Sequence, residues 1–297
     1  PLLWVCQVYK CLYIYREEVR RWVSEYEAMT DRRSVLKQGQ IDILELLYKY
    51  RFGSRQLLAD SLGIKAGSSL HEKLQVLIKH EYIAVRHEKR LKLYGVPAAY
   101  YLTPKGLRTL AALPEHKYIT NSLIKGGYRD KAVSQAFVDQ CLRVYAQTNQ
   151  LGAFYPNLKV YLRRDMSRYS YFPSTLPDAF ISLSVNGTPK RFFLDVLPDI
   201  MPTKPLYQRV TNYAQFFEEG NWDVVSNELP SLLFVGETST TERRLQRLIR
   251  SALRNAELDE DIAVYTTTFG AIEHVEGEGA IWTSLDEPDE LLSLENL

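Results

Sequence analysis

The stretch Pro177 to Leu197 constrains this chain more than any other, because it specifies two short strands, the turn between them and an acidic residue on each. Asp178 opens the run Ala179-Phe180-Ile181-Ser182-Leu183-Ser184-Val185, Asn186-Gly187 follows, and Arg191-Phe192-Phe193-Leu194-Asp195-Val196 runs back. Asn-Gly between β-rich segments predicts a type I′ turn, whose two central residues both need φ > 0. The two carboxylates then lie side by side. Such oxygens, held close together at a strand end, suit a hard divalent cation such as Mg²⁺, which takes oxygen ligands and keeps waters for a phosphate substrate.

Pro177-Asp178, a spacer, and then Asp195-Val196-Leu197 resembles the active-site pattern of the PD-(D/E)XK nuclease superfamily, in which Pro-Asp is followed by Asp or Glu, any residue, and Lys. Leu197 stands where the pattern has Lys, so the cation usually found beside the scissile phosphate is missing from its place. The plain alternative is a hairpin with solvated acidic ends.

With 297 residues the chain has room for two domains and a sizeable core. Cys6, Cys11 and Cys141 form neither an even framework nor a Cys-x-x-Cys pattern, which fits a reducing, cytoplasmic location. Leu2 to Tyr15 is too short to span a membrane and is interrupted by Gln7 and Lys10. It continues into Glu17-Glu18-Val19-Arg20-Arg21-Trp22, so residues 1–30 read as one amphipathic helix that packs on the next domain or on a second copy in a homodimer. Charges of both signs argue against a membrane anchor.

Net charge is +1, but it is unevenly spread. From Asp31 to Asp130 there are 18 Lys and Arg against 9 Asp and Glu, whereas from Glu218 onward 18 acids face 5 bases. The first half can meet an acidic polymer, and the last part cannot.

Residues 31–120 read as a winged helix-turn-helix. Ile41, Ile43, Leu44, Leu46 and Leu47 give a first helix, which Phe52-Gly53 breaks. Ser54 caps a second that Gly63 stops, and Ser68 or Ser69 caps a third, with Glu72 completing a capping box and Leu70, Leu74, Leu77 and Ile78 facing inward. Tyr82 to Arg86, the basic turn His87-Glu88-Lys89-Arg90 and Leu91 to Tyr94 form the wing. Tyr100-Tyr101-Leu102-Thr103-Pro104-Lys105-Gly106 resembles the strand-to-helix corner of bacterial winged-helix regulators. In such a module the third helix enters the major groove of duplex DNA, where His71, Lys73, Gln75 and Lys79 reach bases or backbone, while Lys89, Arg90 and Lys92 meet phosphates. The alternative is a winged helix used for protein contact.

Residues 121–275 read as a mixed sheet flanked by helices. Arg129 to Gln150 has helical spacing, and nucleases of this superfamily often begin with such a helix, which sends an acidic residue to the metal. Asp139, and after it Gln135, are the candidates. Phe154 to Leu162 forms a strand. Arg163, Arg164 and Arg168 then mix with Tyr169, Tyr171 and Phe172, a pattern suited to a single-stranded segment or to an ordinary surface loop. Pro198, Pro202 and Pro205 keep Asp199 to Lys204 out of a helix that begins at Leu206. Arg209 or Lys204 is the candidate to replace the cation missing at Leu197. Leu232 to Gly236 is a buried central strand, and Glu242 to Asn255 is a helix capped by Thr240 or Thr241. Residues 276–297 form an acidic, peripheral tail in which Ile281-Trp282 adds at most an edge strand.

There is no phosphate-cradling glycine loop, no Gly-x-Gly-x-x-Gly turn, no zinc ligand set and no His-hydrophobic-His motif of the kind most plasmid relaxases carry. A winged helix followed by a PD-(D/E)XK-like domain with a Phe192-Phe193-Leu194-Asp195 strand is similar to the replication-relaxation family, to which MobC-type relaxases are related. The resemblance implies a metal-dependent nicking endonuclease that binds an origin of transfer or replication on a plasmid or mobile element, alongside other mobilisation or replication proteins. Asp178 and Asp195 would hold Mg²⁺ or Mn²⁺, with Arg209 or Lys204 beside them. The competing expectation is a non-catalytic DNA-binding regulator or replication accessory with a degenerate nuclease domain.

Overall fold

The computed structural model describes residues 36–86, 95–226, 228–257 and 262–297. The N-terminal helix expected over 1–30 and the wing cations Lys89, Arg90 and Lys92 lie outside the described residues. Helix α1 (Gln38–Tyr50) buries Ile43, Leu44 and Leu47, and it ends where Arg51 takes φ 70°. Strand β1 (Phe52–Gly53) leads to Ser54, whose Oγ accepts from Leu57 N at 3.2 Å and starts α2 (Arg55–Ser61). Gly63, at φ 62°, then stops it, with Ile64 N returning to Ala59 O at 3.0 Å. Helix α3 (Ser68–Lys79) has Gly67 at its N-cap with no side-chain cap bond, so the expected capping box from Ser68 or Ser69 to Glu72 does not form. Its apolar face, Leu70, Leu74 and Leu77, is fully buried.

Strands β2 (Ile83–Arg86) and β3 (Ala99–Leu102) join β1 in an antiparallel sheet of order β1-β3-β2. Three helices and this sheet, in this chain order, make the winged-helix arrangement. The corner at its end has a steric cause. Thr103 Oγ1 accepts from Gly106 N at 3.2 Å and donates to Tyr82 O at 3.1 Å, which turns the chain into α4 (Pro104–Ala111). A Cβ on Gly106 would lie 2.1 Å from that same carbonyl oxygen, so only glycine fits there.

After α5 (Asn121–Gly126), the long helix α6 (Gln135–Phe154) begins later and ends later than its pattern predicts, taking Phe154 from the expected strand. It serves both halves of the molecule. Tyr145 stacks on Tyr50 at 3.6 Å and 3°, and Ser61 bonds the Tyr145 hydroxyl at 2.7 Å and Asn149 at 2.8 Å. Asp42–Leu297 accordingly form one compact unit.

Strand β4 (Leu158–Leu162), the short helix α7 (Arg163–Met166), β5 (Ala179–Val185) and β6 (Thr188–Leu197) open the second sheet. Its remaining elements are α8 (Thr203–Glu218), β7 (Ser231–Gly236), α9 (Ser239–Asn255), β8 (Val264–Thr268), α10 (Phe269–Glu273), β9 (Trp282–Ser284) and β10 (Leu291–Leu292). The strand order is β10-β9-β8-β7-β6-β5-β4, with β6, β7 and β8 parallel and the other pairs antiparallel. The fold is therefore mixed α and β, helices first and a mixed sheet after.

Alternation along β6 sorts the core into two layers. Phe192, Leu194 and Val196 face α6 and Trp282, whereas Phe193 and Leu197 face α8 and α9 around Trp222. Asn186 (φ 50°) and Gly187 (φ 84°) form the two-residue turn with Val185 opposite Thr188, as the Asn-Gly pair predicts. Pro205 lies inside the first turn of α8 rather than before it, where its missing N–H has no helical partner to lose. Thr238, not Thr240 or Thr241, caps α9. The tail is not peripheral: Trp282 and Leu294 are fully buried, because β9 and β10 extend the sheet. Among the described residues no helix is long and apolar enough to cross a membrane.

Trp282→Ala should lower stability by about 3–5 kcal/mol through the cavity it leaves, read as a lowered urea midpoint. An unchanged midpoint would return the tail to the periphery.

Candidate active site and nucleic-acid face

The register that sets Ala179 opposite Leu194 brings Asp178 opposite Asp195. The hairpin backbone supplies a donor to each: Asp178 N donates to Asp195 Oδ1 at 3.1 Å, and Val196 N donates to Asp178 Oδ2 at 3.1 Å. Both carboxylates are buried, at 7% and 1% exposure. Three helices supply the remaining donors. Arg163 from α7 pairs with Asp178 Oδ1 at 3.0 Å, and Gln140 from α6 donates to Asp178 Oδ2 at 2.9 Å and to Val196 O at 2.7 Å. From α8, Arg209 pairs with Asp195 Oδ1, and the Tyr213 hydroxyl donates to Asp195 Oδ2 at 2.9 Å.

The electrostatics follow from burial and pairing. Burial pushes the Asp195 carboxyl above the usual carboxylate range, Arg209 opposes that shift, and Asp178 adds to it. The same Asp195 carboxylate holds the Arg209 guanidinium well above its ordinary range. Burial, and then Asp195, keep the Tyr213 phenol protonated, so it serves as a donor. Two carboxylates and two guanidinium groups leave the cluster neutral. Of the two candidate cations, Arg209 is the one that reaches the pair, whereas Lys204 is exposed in the first turn of α8 and Leu197 is buried in the core.

This donor set does not fit Mg²⁺ or Mn²⁺ while both arginines stay in place. Six donors converge on four carboxylate oxygens, and a carboxylate offers about four lone-pair sites. The two that stay open, on Asp178 Oδ1 and Asp195 Oδ2, adjoin a guanidinium and a phenol that already point at those oxygens. Asp139 does not join as a third ligand. It accepts from Gln135 at 2.8 Å, and Gln140 is the residue by which α6 reaches the pair. Among the described residues no group of three His, Cys, Asp or Glu side chains could hold a metal.

The expected nucleic-acid residues separate into two sets. His71, Gln75 and Lys79 are exposed along one face of α3, with Lys73 half-buried beside them. The loop arginines each have a partner within the chain, although Arg163 and Arg168 remain exposed. Arg163 is bound to Asp178, Arg164 donates to Tyr48 O at 2.8 Å and meets Asp130 at 3.4 Å, and Arg168 meets Asp165 at 3.6 Å. Arg164, the least exposed of the three, is thus engaged by a backbone carbonyl and a carboxylate of the protein itself. Tyr171 and Phe172 pack on the Trp222 core, which leaves Tyr169 as the exposed ring of that loop.

A cavity of about 220 Å³ opens beside Asp178, lined by Lys49, Arg51, Gln140, Arg163, Arg164 and Cys141 among others. Burial pushes the Cys141 thiol up to about 12, so it is no thiolate nucleophile. Sequence reasoning missed Gln140 and Tyr213. Tyr213 had a signal, since it lies one helical turn beyond Arg209 on the same face.

Asp195→Ala, which strands buried Arg209 and Tyr213, should destabilise the protein by about 3–5 kcal/mol, with Asp195→Asn milder, both read from urea midpoints. The melting temperature of the native chain should be equal in Mg²⁺ and in EDTA. A rise with the ion would show that it displaces the arginines.

No family model and no curated protein matches the chain. Among solved structures it is similar to the restriction endonuclease FokI, at 13% identity and a TM-score of 0.31, over 79% of this chain and 43% of that one. It is also similar to FokI bound to DNA, at 9% identity and a TM-score of 0.29, with the same coverage. The chain thus spans less than half the length of these solved structures.

Proposed function

We propose that this chain is a cytoplasmic DNA-binding protein that grips duplex DNA through its winged helix. In the finer reading it takes part in nicking one strand at an origin of transfer or replication of a plasmid or mobile element, the role that resemblance to the replication-relaxation family implies. The observation that carries the binding reading is the two-faced helix α3. Leu70, Leu74 and Leu77 anchor one face completely, while His71, Gln75 and Lys79, four residues apart, line the other and are exposed. A helix held by its apolar face and offering a polar stripe to solvent suits the major groove. The excess of cations from Asp31 to Asp130 supports a polyanionic partner.

The second reading, a regulator or replication accessory that does not cut, is favoured by the arginines that already neutralise Asp178 and Asp195. The residues 1–30, read as an oligomerisation helix, belong equally to both readings.

Gln75→Glu with Lys79→Glu should weaken binding to a duplex oligonucleotide and make its salt dependence shallower, by about 0.9 in log–log slope for each phosphate that is no longer neutralised. Fluorescence anisotropy across a salt series reads both. An unchanged affinity and slope would remove α3 from the interface. Incubation of supercoiled plasmid with Mn²⁺ separates the readings: relaxation that Asp195→Asn abolishes would favour a metal-dependent endonuclease, whereas relaxation untouched by that change would move the chemistry elsewhere.

A further inference from the structure

Away from the aspartate pair, three side chains form a single hydrogen-bonded line. Glu45 on α1 lies 2.7 Å from His116 Nε2, and His116 Nδ1 lies 2.9 Å from the Tyr118 hydroxyl. Because the carboxylate can only accept, Nε2 carries the hydrogen, and in the neutral imidazole Nδ1 is then the acceptor for the phenol. His116 is buried at 9% exposure, while Tyr118 reaches solvent at 36%. The Arg168 guanidinium lies 4.3 Å from the centre of the Tyr118 ring, and its pairing with Asp165, at 3.6 Å, is loose.

A hydroxyl, a base within hydrogen-bond reach and a carboxylate orienting the far nitrogen of that base are the parts of an activated oxygen nucleophile. A Glu45–His116 contact alone would tie α1 to the short turn that follows α4. The phenol on the other nitrogen adds something that tie does not need. Burial pushes the Tyr118 hydroxyl above its ordinary range and Arg168 pulls it back, so the phenol is neutral near pH 7 and depends on a base to react.

We infer that Tyr118 is a nucleophile toward phosphodiesters, with His116 as its general base and Glu45 as the residue that positions the imidazole. The inference rests on the DNA-binding reading for its natural substrate and needs no ion between Asp178 and Asp195. In the reaction the Tyr118 Oη–phosphorus bond forms and the bond from phosphorus to the leaving oxygen breaks. The phenol proton passes to His116 Nδ1, the resulting imidazolium is held by Glu45, and the leaving oxygen departs with the electron pair and takes a proton from solvent or from His116. Arg168 is the nearby cation for a non-bridging phosphate oxygen. The product is a phosphotyrosyl linkage to one strand end and a free hydroxyl on the other, a nick whose phosphodiester energy is conserved.

The p-nitrophenyl ester of thymidine 5′-monophosphate tests this without knowledge of a DNA sequence. The intact chain should release one p-nitrophenolate per molecule in a burst and gain the mass of one thymidylyl group, which peptide mass spectrometry locates on Tyr118. Tyr118→Phe should abolish the burst. His116→Gln should slow it by about a hundredfold to ten-thousandfold, and free imidazole should partly restore it in His116→Gly, which a structural role would not allow. Glu45→Gln should lower the limiting rate constant with the half-saturating ester concentration unchanged. A burst of native size in Tyr118→Phe, an adduct on another residue, or no burst at all from the native chain would each overturn the assignment. A parallel gel-shift with duplex DNA keeps the two readings apart: a shift without a burst removes the nucleophile alone, and a burst on Tyr118 without a shift removes the DNA-binding reading alone.

Discussion

A neutral knot of four charges holds the second half of this molecule together. Asp178 and Asp195 are buried at adjacent positions of a hairpin, and an isolated carboxylate in such surroundings is prohibitively costly unless it is paired and hydrogen-bonded. Each therefore carries its own arginine. Because Arg163 comes from α7, Gln140 from α6, and Arg209 with Tyr213 from α8, satisfying two carboxylates fixes three helices against the sheet. Buried ion pairs add little net stability over apolar packing, but half a pair is intolerable. Their effect here is to allow a single arrangement of the helices around β5 and β6.

A second knot does the same for the first half. Asp130, at 1% exposure, receives Arg51 Nε at 2.8 Å and Nη2 at 2.6 Å, with Arg164 on its other oxygen. Arg51 follows the first helix of the winged-helix segment, and Arg164 stands in α7, the short helix that follows β4 of the second sheet. One carboxylate thus couples the two architectures. The left-handed backbone at Arg51, φ 70°, costs of order 1 kcal/mol. The fork to Asp130 and the guanidinium contact with Phe137, at 4.5 Å from its ring centre, offset that strain.

What could be read from residues alone was what short-range chemistry dictates. Asn186-Gly187 specified its turn, and the turn in turn specified that Asp178 and Asp195 meet. Thr103-Pro104-Lys105-Gly106 specified a corner for reasons the Tyr82 carbonyl makes plain. Legibility failed where the choice depended on helix phase or on distant partners. Asp139 and Gln140 are neighbours in sequence but project about 100° apart around α6, and the acid was favoured on chemical type although the amide has the right phase. The loop arginines have the composition of a strand-binding surface, yet each meets a carboxylate, Asp165 from the same segment and Asp130 and Asp178 from farther along the chain. Nor could the composition of an acidic tail show that Trp282 would seal the sheet edge. The Glu45–His116–Tyr118 line was invisible for the same reason, since Glu45 lies 71 residues before the histidine.

The residue at position 197 explains how the pair came to be filled in this way. On β6 that side chain faces the layer of α8 and α9 and is buried among Leu206, Val210 and Leu245. A lysine there would bring an ammonium into apolar surroundings, whereas leucine completes the core and leaves the neutralising charge to come from outside the strand. Arg209 reaches in from α8 and Arg163 from α7. Together they supply the same charge of +2 as one divalent ion, but covalently tethered and distributed over planar groups that bond the carboxylates directly. A pair neutralised in this way gains little by admitting a further cation, since each new ion must first displace a guanidinium already bonded to a carboxylate. Paired in this way, the two carboxylates tie α6, α7 and α8 to one hairpin.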